Sequence, residues 1–377
     1  MALEFMDSCS HMGSGEISSV PPCPLDRKWT FASGYYCNAS SSPSGPVRRS
    51  APSYAATVCA MYCGSGSVFG ASAYKTLPYV DARFIGLAFY LPEGSLAGTI
   101  CQFLSGGAVL ASLGTETDGT VSIRNNQNTL IWNSAPYVFA YDAYHYVEFF
   151  TSITGTTPVT LSCSLVIDGN TLVTNVTGSA GINASQLLVD AALMNQISIG
   201  GTSPCYAMDI IVFNTSTTDV NGNATLIYTF QGDVDIDAVI PDADVTTAWS
   251  KFPSGAANQY GLVNEIPPDD DTTYIYSDTV SQVSSFNMTP ITGFSGTLVA
   301  AQLLIYSKKD AEGSRAIVGQ LNSATLANWT GVGLTPVNNQ YLFDYYQYFI
   351  FPLDSDGGTP WTPTNFNAAT FGVEVSV

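Results

Sequence analysis

Short runs of alternating apolar and polar residues, separated by Gly, Pro, Asn and Asp, occupy most of the chain. This period of two is the pattern of a half-buried β-strand. Asp118-Gly119 and Asp168-Gly169 each lie between two such runs, where a hairpin turn needs residues that accept a positive φ. A helical pattern is confined to residues 184–194. The strands predicted in the first half are 84–91, 109–113, 120–123, 146–151, 159–167, 171–174, 196–199 and 206–214.

A polar stretch divides this run of strands into two predicted domains. Residues 215–245 are rich in Thr, Asp, Asn and Gly, so we interpret them as a linker. Turns every 8 to 12 residues favour an all-β fold with sandwich domains over an α/β fold. The predicted order is an N-terminal arm (1–26), a sandwich (27–214), the linker and a smaller C-terminal β-sandwich (246–377). The strands predicted in that last domain are 273–276, 298–306, 315–321, 341–351 and 371–377.

Charge narrows the set of possible partners. Lys and Arg together number 11 and Asp and Glu 30, which gives a net charge of −19. Such a chain lacks the cations that bind phosphate backbones or anionic lipid, so we predict no nucleic-acid binding and no membrane insertion. The first residues carry acids where a signal peptide needs cations, so we expect synthesis in the cytoplasm without export.

Eight cysteines are concentrated toward the start of the chain. Disulfides, a zinc site and plain buried thiols are all open from the sequence. Reduced thiols are expected in a protein made in the cytoplasm, and the spacing matches no paired Cys-x-x-Cys motif for zinc. Buried thiols are therefore the favoured interpretation. The cysteines are Cys9, Cys23, Cys37, Cys59, Cys63, Cys101, Cys163 and Cys205.

Residues 27–214 resemble a laminin-G/concanavalin-A-like jelly-roll domain. The segments that carry the resemblance are 144–150, 165–170, 197–201 and 207–214, read as a central strand, a hydrophobic-Asp-Gly hairpin and two closing strands. The resemblance implies a jelly-roll sandwich. This fold is used mainly for binding, but a fold by itself specifies no ligand.

The layout of the whole chain resembles that of tailed-bacteriophage virion structural proteins of the fibre-like or minor structural type. The segments on which this resemblance is based are residues 1–7, Lys28-Trp29-Thr30, the jelly-roll block, 269–275 and 306–315. The resemblance implies a non-enzymatic protein on the exterior of the particle, built as a symmetric homo-oligomer with other virion proteins as partners. A tail fibre or tail-associated appendage is favoured, with capsid decoration (cement) protein as one alternative. The other alternative is a lectin-like module that binds a host-surface glycan.

The sequence contains few candidate catalytic residues. His11 and His145 are the only histidines, and His145 lies within an aromatic strand, where we predict a packed side chain. Glycoside hydrolysis needs two carboxylates facing one cleft. The nearest candidate, Glu116-Thr117-Asp118-Gly119, runs into a turn and is better interpreted as a solvated hairpin tip. We therefore predict no enzymatic activity and no organic cofactor.

Calcium is the one cofactor for which the sequence offers candidate ligands. Asp233, Asp235 and Asp237 alternate along one strand-like segment, and Asp209 follows the Gly200-Gly201 pair. Carboxylate oxygens suit calcium, but the Gly and Glu of an EF-hand loop are missing. Three solvated carboxylates are the simpler interpretation.

Two apolar segments are candidate interfaces with other subunits. Leu3, Phe5 and Met6 are large apolar residues in an otherwise polar arm, and we predict that they anchor it. The strand 341–351 carries aromatic residues on both faces, one for the core and one for a neighbouring subunit, since interfaces are enriched in aromatics. Sugar stacking is the other interpretation of that strand. Its candidate residues are Tyr341, Phe343, Tyr345, Tyr346 and Tyr348.

Overall fold

The computed structural model describes most of residues 72–310 and shorter stretches on either side. Contacts divide the chain into two compact units, and each is considered by itself. One unit contains residues 4–215 and 228–237, and the other contains residues 1–3, 216–227 and 238–377. Within the described residues, no helix is both long and apolar enough to cross a membrane. The described residues are 3–7, 37–40, 60–63, 72–92, 98–155, 159–181, 194–200, 205–214, 230, 232, 234, 236–266, 268–292, 298–310, 314–322, 329–330, 336, 348–351 and 361–376.

The first unit consists of two antiparallel sheets. The larger has the order β12-β11-β10-β5-β14-β3-β2, with β1 also paired to β14, and the smaller has the order β4-β13-β6-β7-β8-β9. The strands are β1 Leu3–Asp7, β2 Cys37–Ser40, β3 Ala60–Cys63, β4 Ser72–Val80, β5 Ala82–Tyr90, β6 Thr99–Ser105, β7 Ala108–Thr115, β8 Val121–Asn125, β9 Leu130–Asn133, β10 Tyr144–Thr154, β11 Thr160–Ile167, β12 Asn170–Ser179, β13 Met194–Gly200 and β14 Cys205–Asn214.

The two sheets pack face to face around one core. The ring of Phe103 on β6 stacks on that of Phe149 on β10, with centroids 5.4 Å apart. Around this contact the inward side chains are fully buried, each worth about 1.5–3 kcal/mol of transfer free energy. The core includes Ile85, Leu87, Leu113, Ile123, Val147 and Leu165. The predicted all-β, concanavalin-A-like jelly-roll sandwich is thereby confirmed.

The second unit is also mostly antiparallel β-structure. Its main sheet has the order β15-β18-β23-β20-β21, beside two-stranded sheets formed by β16 with β17 and by β19 with β22. Trp361, 1% exposed, packs against Phe366 and Phe371 in its core. The strands are β15 Pro241–Thr247, β16 Ser250–Phe252, β17 Tyr274–Tyr276, β18 Val283–Met288, β19 Ala301–Leu304, β20 Ala316–Asn322, β21 Trp329–Thr330, β22 Tyr348–Phe351 and β23 Thr370–Ser376.

The predicted helix at residues 184–194 lies almost entirely outside the described residues. Only Met194 lies within them, and it begins strand β13. A short helix that was not predicted, α1 Pro363–Ala368, precedes the last strand. The side chain of Thr362 caps it by accepting a hydrogen bond from the Asn365 amide, and Pro363 supplies the fixed φ of a first helical position.

Candidate functional site

The outer face of the larger sheet, which points away from the sandwich core, is apolar at its centre. Because the ring of Phe149 faces inward, its sequence neighbours on β10 face outward. Cross-strand pairing then places Tyr146 beside Ala88 and Glu148 beside Gly86 on this outer face. Every residue of β5 is buried, although its alternate side chains belong to opposite faces. A strand of a two-sheet sandwich is buried in this way only when something covers its outer face.

The cover is formed by four described residues of the chain itself, residues 230, 232, 234 and 236, which we name the covering segment. The ring of Phe230 lies 5.7 Å from that of Phe84 on β5. Val234 packs on an apolar cluster formed by Ala88, Tyr146 and Met208. The covering segment belongs to the same compact unit as the sandwich, although the sequence predicted a linker there.

Two buried carboxylates hold the covering segment in place. The amide of Gly232 donates to Glu148 Oε2 over 3.0 Å, and the amide of Ile236 donates to Asp209 Oδ1 over 3.1 Å. Both acids have 0% exposure. A buried carboxylate is tolerated only when its oxygens accept hydrogen bonds, and charge-assisted bonds are stronger than neutral ones. Alternate residues of the covering segment are thus fixed to the sheet.

A β-bulge places Asp209 on this face. The pairing of β14 with β5 shifts between Met208 and Ile211, so β14 carries one extra residue there. Asp209 lies in the bulge with a φ of 51°, in the left-handed region that Asp tolerates better than most residues. Bulges re-aim side chains in this way.

A cluster of tyrosines lies at the end of the outer face. The ring of Tyr90 lies 5.2 Å from that of Tyr144 and 5.7 Å from that of Tyr206. The hydroxyl of Tyr90, which is buried, donates to Asp142 Oδ1 over 2.9 Å. Burial, and then the adjacent carboxylate, raise the pKa of Tyr90 above its usual value. At neutral pH this phenol is therefore a hydrogen-bond donor, while Tyr144 and Tyr206 are half-buried.

His145 is a packed strand residue, as predicted. It is 9% exposed, and its ring lies 4.4 Å from that of Phe139. Nδ1 lies 2.6 Å from Asp168 Oδ2, and Nε2 lies 3.0 Å from the amide nitrogen of Ala140. Both ring nitrogens of His145 therefore contact groups of the protein itself. The pair formed by His145 and Asp168 holds the 139–140 loop in place, and the imidazole has no lone pair directed at a substrate.

Glu116 and Asp118 lie at a hairpin tip, as the sequence indicated. The Gly119 amide donates to the Glu116 carbonyl, which closes the turn. The Glu116 carboxylate forms an ion pair with Arg124 over 2.8 Å, and that hydrogen bond lowers its pKa. A glycosidase acid needs a raised pKa, so this pair lacks the electrostatics of a hydrolytic site.

The acids considered for calcium do not form a described cluster. Asp237 is exposed, and Asp209 is buried and accepts from the Ile236 amide. Asp233 and Asp235 lie outside the described residues. Within the part of the chain that the structure describes, no group of three or more His, Cys, Asp or Glu could hold a metal ion.

The predicted interface residues fall on two strands and on undescribed segments. Leu3, Phe5 and Met6 belong to β1, which pairs with β14, and Met6 is half-buried. Tyr348 begins β22 and pairs with Leu304 on β19. The remaining candidates, Tyr341, Phe343, Tyr345 and Tyr346, lie outside the described residues.

Several charged residues of the sandwich are buried, which the sequence did not indicate. Lys75 and Arg83 have 0% exposure, and Arg83 Nη2 donates to the Pro78 carbonyl over 2.7 Å. Arg124 is the third cation among the described residues of this unit, and it is paired with Glu116. The described surface of the sandwich therefore offers little positive charge to a polyanion.

No protein-family model and no curated protein matches the chain. Among solved structures, it is similar to an endo-β-1,4-glucuronan lyase from the fungus Trichoderma reesei, at 13% identity over 58% of this chain and 98% of that chain, with a TM-score of 0.34. It is also similar to a double mutant of alginate lyase Aly36B in complex with alginate trisaccharide, at 8% identity over 42% of this chain and 82% of that chain, with a TM-score of 0.32. Galectin LEC-6 of Caenorhabditis elegans is similar at 10% identity over 40% of this chain and 100% of that chain, with a TM-score of 0.27. These similarities concern the sandwich fold alone and assign no ligand or reaction to this chain.

Proposed function

We propose that this protein is a non-enzymatic structural protein of a tailed-bacteriophage virion, exposed on the particle as a tail fibre or tail-associated appendage. The layout of the chain, which resembles that of such proteins, supports the phage assignment. The observation that carries the non-enzymatic part is the covering segment, which occupies the outer face of the larger sheet.

The geometry of the covered face is unsuited to an active site there. A cleft on a sheet needs side chains that point into solvent and can meet a substrate. Here the central outward residues Ala88 and Met208 are buried under Val234, and Glu148 is engaged by a backbone amide. The two candidate catalytic groups elsewhere, His145 and Glu116, are likewise engaged by partners within the fold.

Quantitative mass spectrometry of purified particles tests this function. Particles would be purified by two independent methods, and peptides of this protein would be counted against those of the portal protein. We expect a fixed ratio between preparations, with tens of copies for a tail appendage. Hundreds of copies would instead support the capsid-decoration alternative, and absence from washed particles would contradict a virion role altogether.

A second candidate function, glycan binding, is favoured by the tyrosine cluster. Tyr144 and Tyr206, both half-buried, lie against the ring of Tyr90, whose hydroxyl donates to the carboxylate of Asp142. Sugars bind proteins by stacking on aromatic rings and by donating hydroxyl protons to carboxylates. The ligand would be uncharged, because Asp142 repels acidic sugars. A glycan array probed with the full chain and with Tyr206→Ala tests it: binding lost in the variant supports the site, and no binding by either protein rejects it.

A further inference from the structure

One face of a two-stranded sheet in the second unit is lined by aromatic rings. Its strands, β16 and β17, pair Ser250 with Tyr276 and Phe252 with Tyr274. Directly opposed residues lie on the same face of a sheet, and so do residues two positions apart on one strand, so these four side chains share one face. Phe252 and Tyr276 are 44% and 51% exposed, which shows that this face points to solvent.

The opposite face of this small sheet is less exposed. It carries Lys251 and Ile275, which are paired with each other and half-buried. The Lys251 ammonium donates to the carbonyl oxygen of Ala256, a few residues further along the chain. The one charged side chain of the two strands is therefore held on the far side of the sheet, and the aromatic face carries no charge.

The rings of the aromatic face are held in place by contacts with one another. Phe252 and Tyr274 lie nearly parallel, with an interplanar angle of 17° and centroids 4.9 Å apart. The ring of Tyr276 lies 5.9 Å from that of Tyr274 and is tilted by 58°. Aromatic pairs stabilise one another beyond the area that they bury, so the rings are positioned before any ligand arrives, and binding need not order them.

The fourth corner of this face is open, because Ser250 has a small side chain. Ser250 is exposed, lies opposite Tyr276 and precedes Phe252 by two positions on the same strand. Opposed Cα atoms are about 4.5–5.5 Å apart and alternate ones about 6.5 Å, so the space above Ser250 is about as wide as one six-membered ring. We name this space the aromatic notch; its floor is Ser250, and its walls are the side chains of Tyr276 and Phe252.

We propose that the aromatic notch binds an uncharged sugar, with one pyranose ring placed over Ser250 and against the ring of Tyr276. The C–H groups on one face of a pyranose are attracted to the negative face of an aromatic ring. The hydroxyls of Ser250 and Tyr276 can both donate to and accept from the sugar hydroxyls. This site belongs to the second unit and does not depend on the tyrosine cluster, which belongs to the first.

Size and charge favour a sugar over a protein partner. An aromatic side chain has about 150–250 Å² of surface, so the exposed parts of Phe252 and Tyr276 amount to roughly 200 Å². A stable protein interface buries about 800 Å² on each partner, whereas a patch of this size is enough for a single sugar ring. Acidic sugars are disfavoured, because the aromatic notch has no cation and the chain has a net charge of −19.

Saturation-transfer NMR on the full chain tests the proposal. Methyl β-glucoside, methyl β-galactoside and N-acetylglucosamine are the neutral probes, at millimolar concentration, and glucuronic acid is their acidic counterpart. We expect transfer to the C–H protons of at least one neutral sugar, with a dissociation constant of about 1 mM, which suits one ring in a shallow site. We expect no transfer to glucuronic acid. Binding of the acidic sugar alone, or of none of the four, would overturn the proposal.

Three substitutions locate the bound sugar. Tyr276→Ala removes one wall and should weaken binding by about 3- to 10-fold, the range of one aromatic contact. Ser250→Leu fills the floor and should weaken binding at least as much, although it adds apolar surface. Tyr276→Phe should bind within about threefold of the wild type, because the ring is kept. Thermal melts followed by circular dichroism check that each variant is folded.

Tyr79→Ala is the matched control, because Tyr79 is also 44% exposed but lies on β4 of the sandwich. Tyr206→Ala distinguishes the aromatic notch from the tyrosine cluster. Both variants should bind the probes as the wild type does. Binding that is lost in Tyr206→Ala and kept in Tyr276→Ala would place the sugar at the tyrosine cluster and overturn the proposal. A fall in oligomeric mass in Tyr276→Ala would also overturn it, because another copy of the chain would then cover this face.

Discussion

Gly86 lies where three strands of the outer face are most crowded. It is paired with Glu148 on one side and with Ile211 on the other. A Cβ atom there would lie 2.7 Å from Tyr146 Oη and 2.9 Å from Ile211 Cγ1, closer than such atoms approach. The absence of a side chain lets the tyrosine lie across β5, under the covering segment.

Gly86→Ala should therefore destabilise the sandwich by about 1–3 kcal/mol, the usual cost of overpacking. Denaturant unfolding followed by circular dichroism measures this. Gly255→Ala is the control, because nothing lies within 4 Å of its added Cβ, and we expect a change within about 0.5 kcal/mol. Equal effects of the two substitutions would show that Gly86 is not crowded.

The tyrosine cluster predicts a loss of stability at alkaline pH. The pKa of Tyr90 in the folded protein is raised above 10.0, so the unfolded chain releases this proton first as the pH rises. Stability is fully present below about pH 10 and is lost as the pH rises through the folded pKa. Tyr90→Phe should flatten this alkaline decline in thermal melts between about pH 9 and pH 12. A decline as steep as that of the wild type would contradict the assignment to Tyr90.

The four described residues of the covering segment all contact the larger sheet. Phe230 and Val234 pack on the sheet, while Gly232 and Ile236 are held by carboxylates. Asp237, the next residue, is exposed. Fixing each backbone residue costs about 1–2 kcal/mol, and the apolar contacts and the hydrogen bonds both offset this cost.

Val234→Ala should loosen this layer and lower the free energy of unfolding by about 0.5–2 kcal/mol, because it removes apolar contacts from a partly buried site. The freed surface should also bind the dye ANS more strongly. Asp237→Ala is the control. We expect it to change the free energy of unfolding by no more than about 0.5 kcal/mol and to leave the ANS fluorescence at its baseline. Unchanged dye binding in Val234→Ala would mean that the face stays closed without this contact.

The sequence was sufficient to predict the central strands of the sandwich, but it missed others, among them β4, β6 and β15, the last of which begins in the predicted linker. It was also insufficient to predict what covers the larger sheet. Alternation identifies a strand such as β10 because each inward residue meets the core. It cannot show that Glu148 and Asp209 are buried, since their partners are backbone amides distant in sequence. One signal was available: β5 is almost continuously apolar, which is typical of a strand covered on both faces. The covering segment itself was interpreted as part of a linker because the stretch 215–245 is rich in Thr, Asp, Asn and Gly.

At the scale of the whole molecule, the central feature is that the outer face of the larger sheet is closed by the chain itself. Hydrogen–deuterium exchange of the intact protein tests this most directly. In peptides containing residues 230–236, the amides of Gly232 and Ile236 should exchange as slowly as those of β10, because both are bonded to buried carboxylates. Rapid exchange of those peptides beside a protected β10 would show an open face available to a ligand, and would contradict the account.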